Sequence, residues 1–166
     1  MKGLHGMHAE GATFLLIQYL NQIKDMMMNQ EMASKLKKSL IAHEGYRNYP
    51  YVDTVGKLTI GIGYNISDRG LSDEWINTQY QQDVNYYHNK LSEFFWFKNL
   101  NENRQIALID MCFMGWKKFL SFKRLIYALE NYKYDFAAAE MLDSKWATQV
   151  GGRAEKLAEI MLTGEI

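Results

Sequence analysis

Residues 49–63 limit the fold of this chain more than any other part, because apolar and polar residues alternate there. The alternating residues are Tyr49, Pro50, Tyr51, Val52 and Asp53, then Lys57, Leu58, Thr59, Ile60, Gly61 and Ile62. The turn sequence DTVG joins the two halves, so the pattern predicts a β-hairpin. We expect Leu58, Ile60 and Ile62 on its buried face, and Asp53 and Thr59 on a face that looks into a groove.

Apolar residues outside this stretch recur every three or four positions, which is the period of helices. Helices are predicted at residues 12–29, 32–44, 72–90, 102–115, 121–131, 134–143 and 151–162. Gly45 is expected to end the second helix, and Ser72 to begin the third. The first helix is amphipathic, with an apolar stripe of Leu16, Leu20, Ile23 and Met27. The predicted fold class is α+β, mostly helical, with a small sheet near its start.

Charge and cysteine content argue against several classes of function. Lys plus Arg and Asp plus Glu number 19 each, so the charge balance favours neither nucleic acid nor an anionic membrane as a partner. Cys112 has no second cysteine to pair with, and the histidines lack metal-binding spacing, so we expect no metal and no cofactor. Gln18, Asn21 and Lys24 interrupt the N-terminal apolar run, so we expect neither a signal peptide nor a membrane-spanning helix.

Glu44 and Asp53 are the candidate catalytic residues. Glu44 continues the apolar side of its helix, where desolvation and the negative helix end favour a protonated carboxyl, whereas Asp53 in a polar turn is expected to stay ionised. Acid–base cleavage of a glycosidic bond needs two such carboxyls. Tyr46, Tyr49 and Tyr51 offer flat surfaces to sugar rings. From spacing alone, the alternative stays open that Glu44 only ends a helix and Asp53 only forms a turn.

Four blocks of sequence, in the right order, resemble the phage-type lysozymes, the endolysins related to the T-even lysozyme. The blocks are Glu44, Asp53 and Thr59 followed by IGIG, YQQDV at 80–84, ALIDMCFMG at 107–115, and residues 144–166. The resemblance covers residues 34–166 and implies a lysozyme-like fold with its hairpin near the active-site cleft. Residues 1–33 are then predicted to be an N-terminal amphipathic helical extension.

The resemblance implies a muramidase that cleaves bacterial peptidoglycan. Glu44 would be the general acid, and Asp53 with Thr59 would position the attacking water, giving inversion at the anomeric carbon. Arg153 matches a family arginine near the catalytic glutamate. It shares the inward side of the last helix with Leu157 and Ile160, where a cation needs a buried acidic partner. The alternative is that Arg153 is an ordinary first-turn arginine. The predicted substrate-binding residues are Tyr49, Tyr51, Gly63 and Phe113, and Phe113 also suits the core.

The resemblance further implies a phage endolysin for host cell lysis. We expect it to be made in the host cytoplasm and to reach the cell wall by holin-dependent release. The alternatives are a virion- or tail-associated lysozyme docked by its N-terminal helix, and an inactive murein-binding scaffold, against which the intact Glu44, Asp53 and Thr59 argue. Residues 12–29 predict a protein partner or self-association, because their apolar stripe has to be covered. Nucleic-acid binding and stable membrane insertion are not expected.

Overall fold

The computed structural model describes the backbone of residues 7–166 and the side chains of residues 15–166. The chain divides into two compact units, Met1–Leu71 and Ser72–Ile166. Most of the described residues are helical, and the sheet that accompanies the helices is small, three-stranded and antiparallel. This confirms the predicted α+β fold class. Across residues 7–166, no helix is both long and apolar enough to cross a membrane.

The first unit begins with one long helix, α1 (Met7–Glu44). The prediction of two separate helices is therefore wrong. Gln30 and Glu31 at the expected break are good helix formers, and Glu31 also forms an ion pair with Lys35 one turn later. Gly45, at φ 79°, ends the helix as predicted. The predicted boundary between residues 33 and 34 lies inside α1, and the division into extension and domain stays a prediction.

The sheet contains β1 (Arg47–Val52), β2 (Leu58–Gly61) and β3 (Tyr64–Asn65), in the order β1-β2-β3. The predicted hairpin is the β1–β2 pair, and its DTVG turn is closed by a 3.1 Å hydrogen bond from Gly56 N–H to the Asp53 carbonyl. The third strand was not predicted, because two residues are too few to show an alternating pattern. A short helix, α2 (Ile66–Arg69), follows the sheet.

The predicted faces of β2 are partly wrong. Leu58 is 41% exposed, whereas Thr59 is 3% exposed and is the one buried side chain among residues 15–71. Thr59 lies on the central strand, where Tyr51 flanks it on one side and Asn65 on the other. Its hydroxyl is hydrogen-bonded, which makes this burial tolerable.

The second unit is entirely helical. Its helices are α3 (Asp73–Leu91), α4 (Phe95–Lys98), α5 (Glu102–Cys112), α6 (Trp116–Phe119), α7 (Lys123–Glu130), α8 (Tyr134–Leu142), α9 (Lys145–Val150) and α10 (Gly152–Thr163). The five helices predicted from Ser72 onward are confirmed to within a few residues, and the Ser72 side chain caps α3 by accepting from Trp75 N–H. The short helices α4, α6 and α9 lie between the predicted ones.

The hydrophobic core belongs to the second unit. The largest fully buried side chains are Leu91, Phe97, Leu108, Met111, Phe119, Leu125, Leu129, Met141 and Met161. Helix α10 packs against α8 and α5, which places its apolar side in this core. Trp146 is buried in this core, and burial also raises the pKa of the Cys112 thiol to about 12, so the thiol stays protonated and unreactive. Phe113, by contrast, is 43% exposed, so it is not a core residue.

Candidate active site

Asp53 is held by three donors at the turn between β1 and β2. Its Oδ1 accepts from Val55 N–H at 3.0 Å and from Lys57 N–H at 2.8 Å, while its Oδ2 accepts from the Thr59 hydroxyl at 3.2 Å. An aspartate that bonds backbone N–H groups a few residues ahead is a common way to close a turn. Here the same contacts fix the orientation of the carboxylate.

These contacts also determine the charge of Asp53. The Lys57 N–H bond lowers the pKa of Asp53 most. Desolvation is the second-largest effect and opposes it, and the Val55 N–H and the Thr59 hydroxyl lower the pKa further. The expectation that Asp53 is ionised at neutral pH is therefore confirmed. Two N–H donors occupy Oδ1, so Oδ2 keeps a free lone pair for a further partner.

Thr59 is brought beside Asp53 by the pairing of the strands. Tyr51 and Thr59 are direct partners across the β1–β2 ladder, and Asp53 follows Tyr51 by two residues, so all three project from one face. The Thr59 hydroxyl also lies 3.3 Å from the Lys57 carbonyl, which is a second acceptor for the same proton. The sequence-based prediction that Asp53 and Thr59 lie together is thus confirmed in this structure.

Glu44 is the last residue of α1 and lies beside the turn between β2 and β3. A Cβ atom added to Gly63 would lie 3.7 Å from both Cγ and Oε2 of Glu44. Gly63 has φ 70°, a conformation that suits glycine and lets the carboxyl approach the backbone. The Glu44 side chain is exposed, so the predicted desolvation is wrong.

The two carboxyl groups therefore lie near opposite ends of one short strand. Asp53 lies at the turn before β2, and Glu44 lies beside the turn after it. At about 3.4 Å per residue, the three steps of β2 separate these turns by roughly 10 Å. The carboxyl groups of an inverting glycosidase are about 6.5–9.5 Å apart, which leaves room for a water molecule, and the spacing of these turns is close to that range.

The two tyrosines of β1 differ in their surroundings. Tyr49 is 83% exposed, so its ring is available to solvent on this strand. The Arg47 guanidinium lies 4.3 Å from the centre of the Tyr51 ring, which is half-buried next to Thr59. Arg47 was not predicted to take part, although its place two residues before Tyr49 puts it on the same strand.

Phe113 and Arg153 lie together in the second unit, at a pocket of about 340 Å³ that Tyr80 and Ile106 also line. Arg153 donates to Asp110 through Nε at 2.9 Å, and its Nη2 lies 2.7 Å from the same carboxylate oxygen. Arg153 thus has the acidic partner that its position predicts, but Asp110 is partly exposed rather than buried. The role of Arg153 beside a catalytic glutamate stays a prediction.

Metal binding has no support in the part of the chain that the structure describes, where no three His, Cys, Asp or Glu side chains are grouped to hold an ion. The groups that can take part in a reaction at this site are the Glu44 and Asp53 carboxyls and the Thr59 hydroxyl. An exposed carboxyl can reach a ligand as a proton donor, and an ionised carboxylate with a free lone pair can accept a proton from water.

Comparison with known proteins adds an independent finding. Residues 41–160 match the family described as phage lysozyme. The chain is 28% identical over 166 residues to probable T4-type lysozyme 2 of Dictyostelium discoideum, an alignment that covers 81% of this chain and 98% of that protein. Probable T4-type lysozyme 1 of the same organism is also 28% identical over 166 residues.

A third relative is a larger protein. The chain is 27% identical over 170 residues to the pre-baseplate central spike protein Gp5 of Enterobacteria phage T4, covering 83% of this chain and 28% of that protein. Glu44, Asp53, Thr59, Phe113 and Arg153 all lie within the residues that match the family.

Proposed function

Because the chain belongs to the phage lysozyme family, we propose that it is a muramidase that hydrolyses the β-1,4 bond between N-acetylmuramic acid and N-acetylglucosamine in bacterial peptidoglycan. The observation that carries this proposal is the Asp53–Thr59 hydrogen bond, with Glu44 at the other end of the same strand. Together they supply a proton donor and a proton acceptor around the space for one glycosidic bond.

In the proposed reaction, Glu44 gives its proton to the leaving oxygen as the bond from that oxygen to the anomeric carbon breaks. A water oxygen forms the new bond to the anomeric carbon from the opposite side, and Asp53 accepts the proton that the water loses. The free lone pair of Asp53 Oδ2 and the neighbouring Thr59 hydroxyl orient that water. Asp53 suits this role because its lowered pKa keeps it ionised.

The sugar chain is proposed to lie against the exposed ring of Tyr49 and the half-buried ring of Tyr51. Gly63 leaves open the space beside Glu44 that a side chain would fill. From the family resemblance, Phe113 is proposed as a further substrate contact and Arg153 as a supporting residue. No cofactor enters the proposed reaction.

Inversion at the anomeric carbon is the first expected result. The wide spacing of the two turns favours direct attack by water over the closer pair of carboxyls, about 5–5.5 Å apart, that forms a covalent intermediate. Proton NMR of a soluble murein fragment during early hydrolysis should therefore show the α-anomer of the new reducing end before mutarotation. An initial β-anomer would mean retention and would exclude the proposed water-positioning role of Asp53.

Thr59→Val should lower hydrolysis by roughly two- to tenfold without unfolding the protein. Valine fills the buried site, but it removes a hydrogen bond that contributes about 0.5–1.5 kcal/mol, and about 1.4 kcal/mol corresponds to a factor of ten in rate. Thr54→Val, at an exposed turn position, is the matched control and should keep the wild-type rate. Initial rates on soluble fragments measure both variants, and equal rates for them would remove Thr59 from the mechanism.

The proposed biological role is lysis of the host cell wall by a free endolysin after holin-dependent release. The similarity to the central spike protein Gp5 favours a second candidate, a lysozyme carried in the virion. Immunoblotting of purified particles distinguishes the two, since a virion lysozyme stays with the particles and a free endolysin remains in the lysate. An inactive scaffold is disfavoured by the intact Glu44, Asp53 and Thr59.

A further inference from the structure

Helix α1 presents a broad apolar face that is open to solvent. This α1 face consists of Leu16, Tyr19, Leu20, Ile23, Met26 and Met27. All of them except the half-buried Ile23 are between 54% and 62% exposed. The opposite side of the same turns carries Gln18, Asn21, Gln22, Asp25 and Asn29. Exposed apolar residues scattered singly are ordinary, but six on one side of three helical turns form a contiguous patch.

Four residues of the α1 face have the spacing of a coiled-coil interface, and we call these four residues the seam. Leu16, Leu20, Ile23 and Met27 are separated by four, three and four residues, which is the a/d pattern of a coiled coil over nearly two heptads. Gln30 and Ser34 occupy the next positions of the seam, so the apolar pattern ends there. At 1.5 Å per residue, the seam is about 18 Å long.

The charge of the segment that carries the α1 face indicates which kind of partner the face can bind. Lys24 and Asp25 are the two charged residues between positions 15 and 30, so the segment has no net charge. A helix that lies on an anionic membrane surface typically has lysine and arginine along its polar side, and here that side carries amides and one aspartate. Two copies of the α1 face can approach each other without repulsion between like charges.

The area of the α1 face sets the strength of such pairing. Side chains of this size bury roughly 60–120 Å² each when their transfer is worth about 1.5–3 kcal/mol, so six of them give roughly 350–700 Å² per copy. Specific interfaces bury about 800 Å² per partner, and weak, transient ones bury less. The face therefore suits a reversible dimer rather than a permanent one.

We propose that the protein self-associates through the α1 face, with the α1 helices of two copies packed seam to seam. The pairing is independent of the proposed hydrolysis, because the α1 face lies more than four helical turns before Glu44 in the sequence. The occupant of the face is a second copy of this chain.

The test compares two double variants of the full-length chain by sedimentation velocity and light scattering over a range of concentrations. Leu20→Asp/Ile23→Asp adds two charges to the seam, whereas Asn21→Asp/Gln22→Asp adds the same two charges to the polar side. The wild type and the polar-side variant should rise towards twice the monomer mass with concentration, and the seam variant should stay at the monomer mass. Circular dichroism checks that α1 remains helical.

If the aspartates unfold α1, Leu20→Ala/Ile23→Ala replaces them, because alanine favours helix, and it should weaken dimerisation at least tenfold. Three results would overturn the proposal. They are a wild type that stays monomeric at every concentration, a seam variant that dimerises like the wild type, and a wild-type mass that rises beyond the dimer without reaching a plateau. A monomeric wild type that binds phosphatidylcholine vesicles would assign the α1 face to a lipid surface instead.

Discussion

Glu44→Gln should reduce peptidoglycan hydrolysis by about 10²- to 10⁴-fold, the usual contribution of general acid catalysis. Glutamine has nearly the same shape but no acidic proton to give to the leaving oxygen. Because the Glu44 side chain is exposed at the end of α1, the substitution should leave the folded structure unchanged. Initial rates on soluble fragments and the thermal unfolding midpoint measure the two effects separately.

The matched control is Glu31→Gln on the same helix. Glu31 is exposed, and its ion pair with Lys35 is a surface contact worth little to stability, so this variant should hydrolyse at the wild-type rate. A Glu44→Gln protein that also turns over at the wild-type rate would show that the proton comes from another group. Glu44 would then be an ordinary helix-terminal residue.

Asp53→Asn is expected to cause a loss of similar size, again about 10²- to 10⁴-fold, because an amide cannot accept the proton of the attacking water. The asparagine oxygen can still accept from the Val55 and Lys57 N–H groups, so the turn should persist. Initial rates on the same soluble fragments measure the loss. Wild-type hydrolysis by this variant would be incompatible with Asp53 as the base.

The same substitution should change how stability depends on pH. The pKa of Asp53 is lowered in the folded protein from its ordinary value of 3.8, so its ionised form stabilises the fold above that value. This contribution is lost as the pH falls below 3.8 and through the lowered, folded-state pKa. Asp53→Asn should therefore flatten the acid limb of the unfolding free energy, measured by urea denaturation at a series of pH values.

Asp68→Asn is the control that separates the effect of Asp53 on hydrolysis from its effect on the pH dependence of stability. The hydrogen bond from the Lys57 ammonium, at 2.7 Å, lowers the pKa of Asp68 as well, so this control should also flatten the acid limb. Asp68 has no place in the proposed reaction, and its variant should keep the wild-type hydrolysis rate. Loss of activity in both variants would mean that the turn, rather than the Asp53 carboxylate, is what hydrolysis requires.

Local sequence was sufficient to predict the Asp53–Thr59 pair. An aspartate at the start of a glycine turn and a threonine shortly after it must come close if the two strands pair, because neighbouring strands lie about 4.8 Å apart. The same local rules predict the end of α1 at Gly45 and the cap of α3 at Ser72, since each depends on only a few consecutive residues.

Features that depend on distant residues could not be predicted in this way. Asp110 lies 43 positions before Arg153, and nothing in an apolar helical segment marks it as the partner of that arginine. The burial of Thr59 depends on β3, which is too short to recognise in sequence. The exposure of Glu44 depends on what packs against the end of α1, which the apolar spacing of that helix does not specify.

The continuity of α1 has another physical origin. Its predicted break rested on a change of apolar spacing near residue 30, but a helix ends only where a residue such as glycine or proline, or a competing contact, stops it. Residues 15–44 contain neither glycine nor proline, so the helix continues although its apolar side changes. Spacing predicts which side of a helix is apolar more reliably than where the helix ends.

Mass spectrometry of the fragments released from purified sacculi, after borohydride reduction, tests the proposed muramidase activity most directly. Hydrolysis of the proposed bond leaves N-acetylmuramic acid at the new reducing end, so the wild type should yield fragments that end in reduced N-acetylmuramic acid, and Glu44→Gln should yield almost none. Fragments that end in reduced N-acetylglucosamine, an anhydro sugar that resists reduction, or peptides released from intact glycan strands would each contradict the assignment.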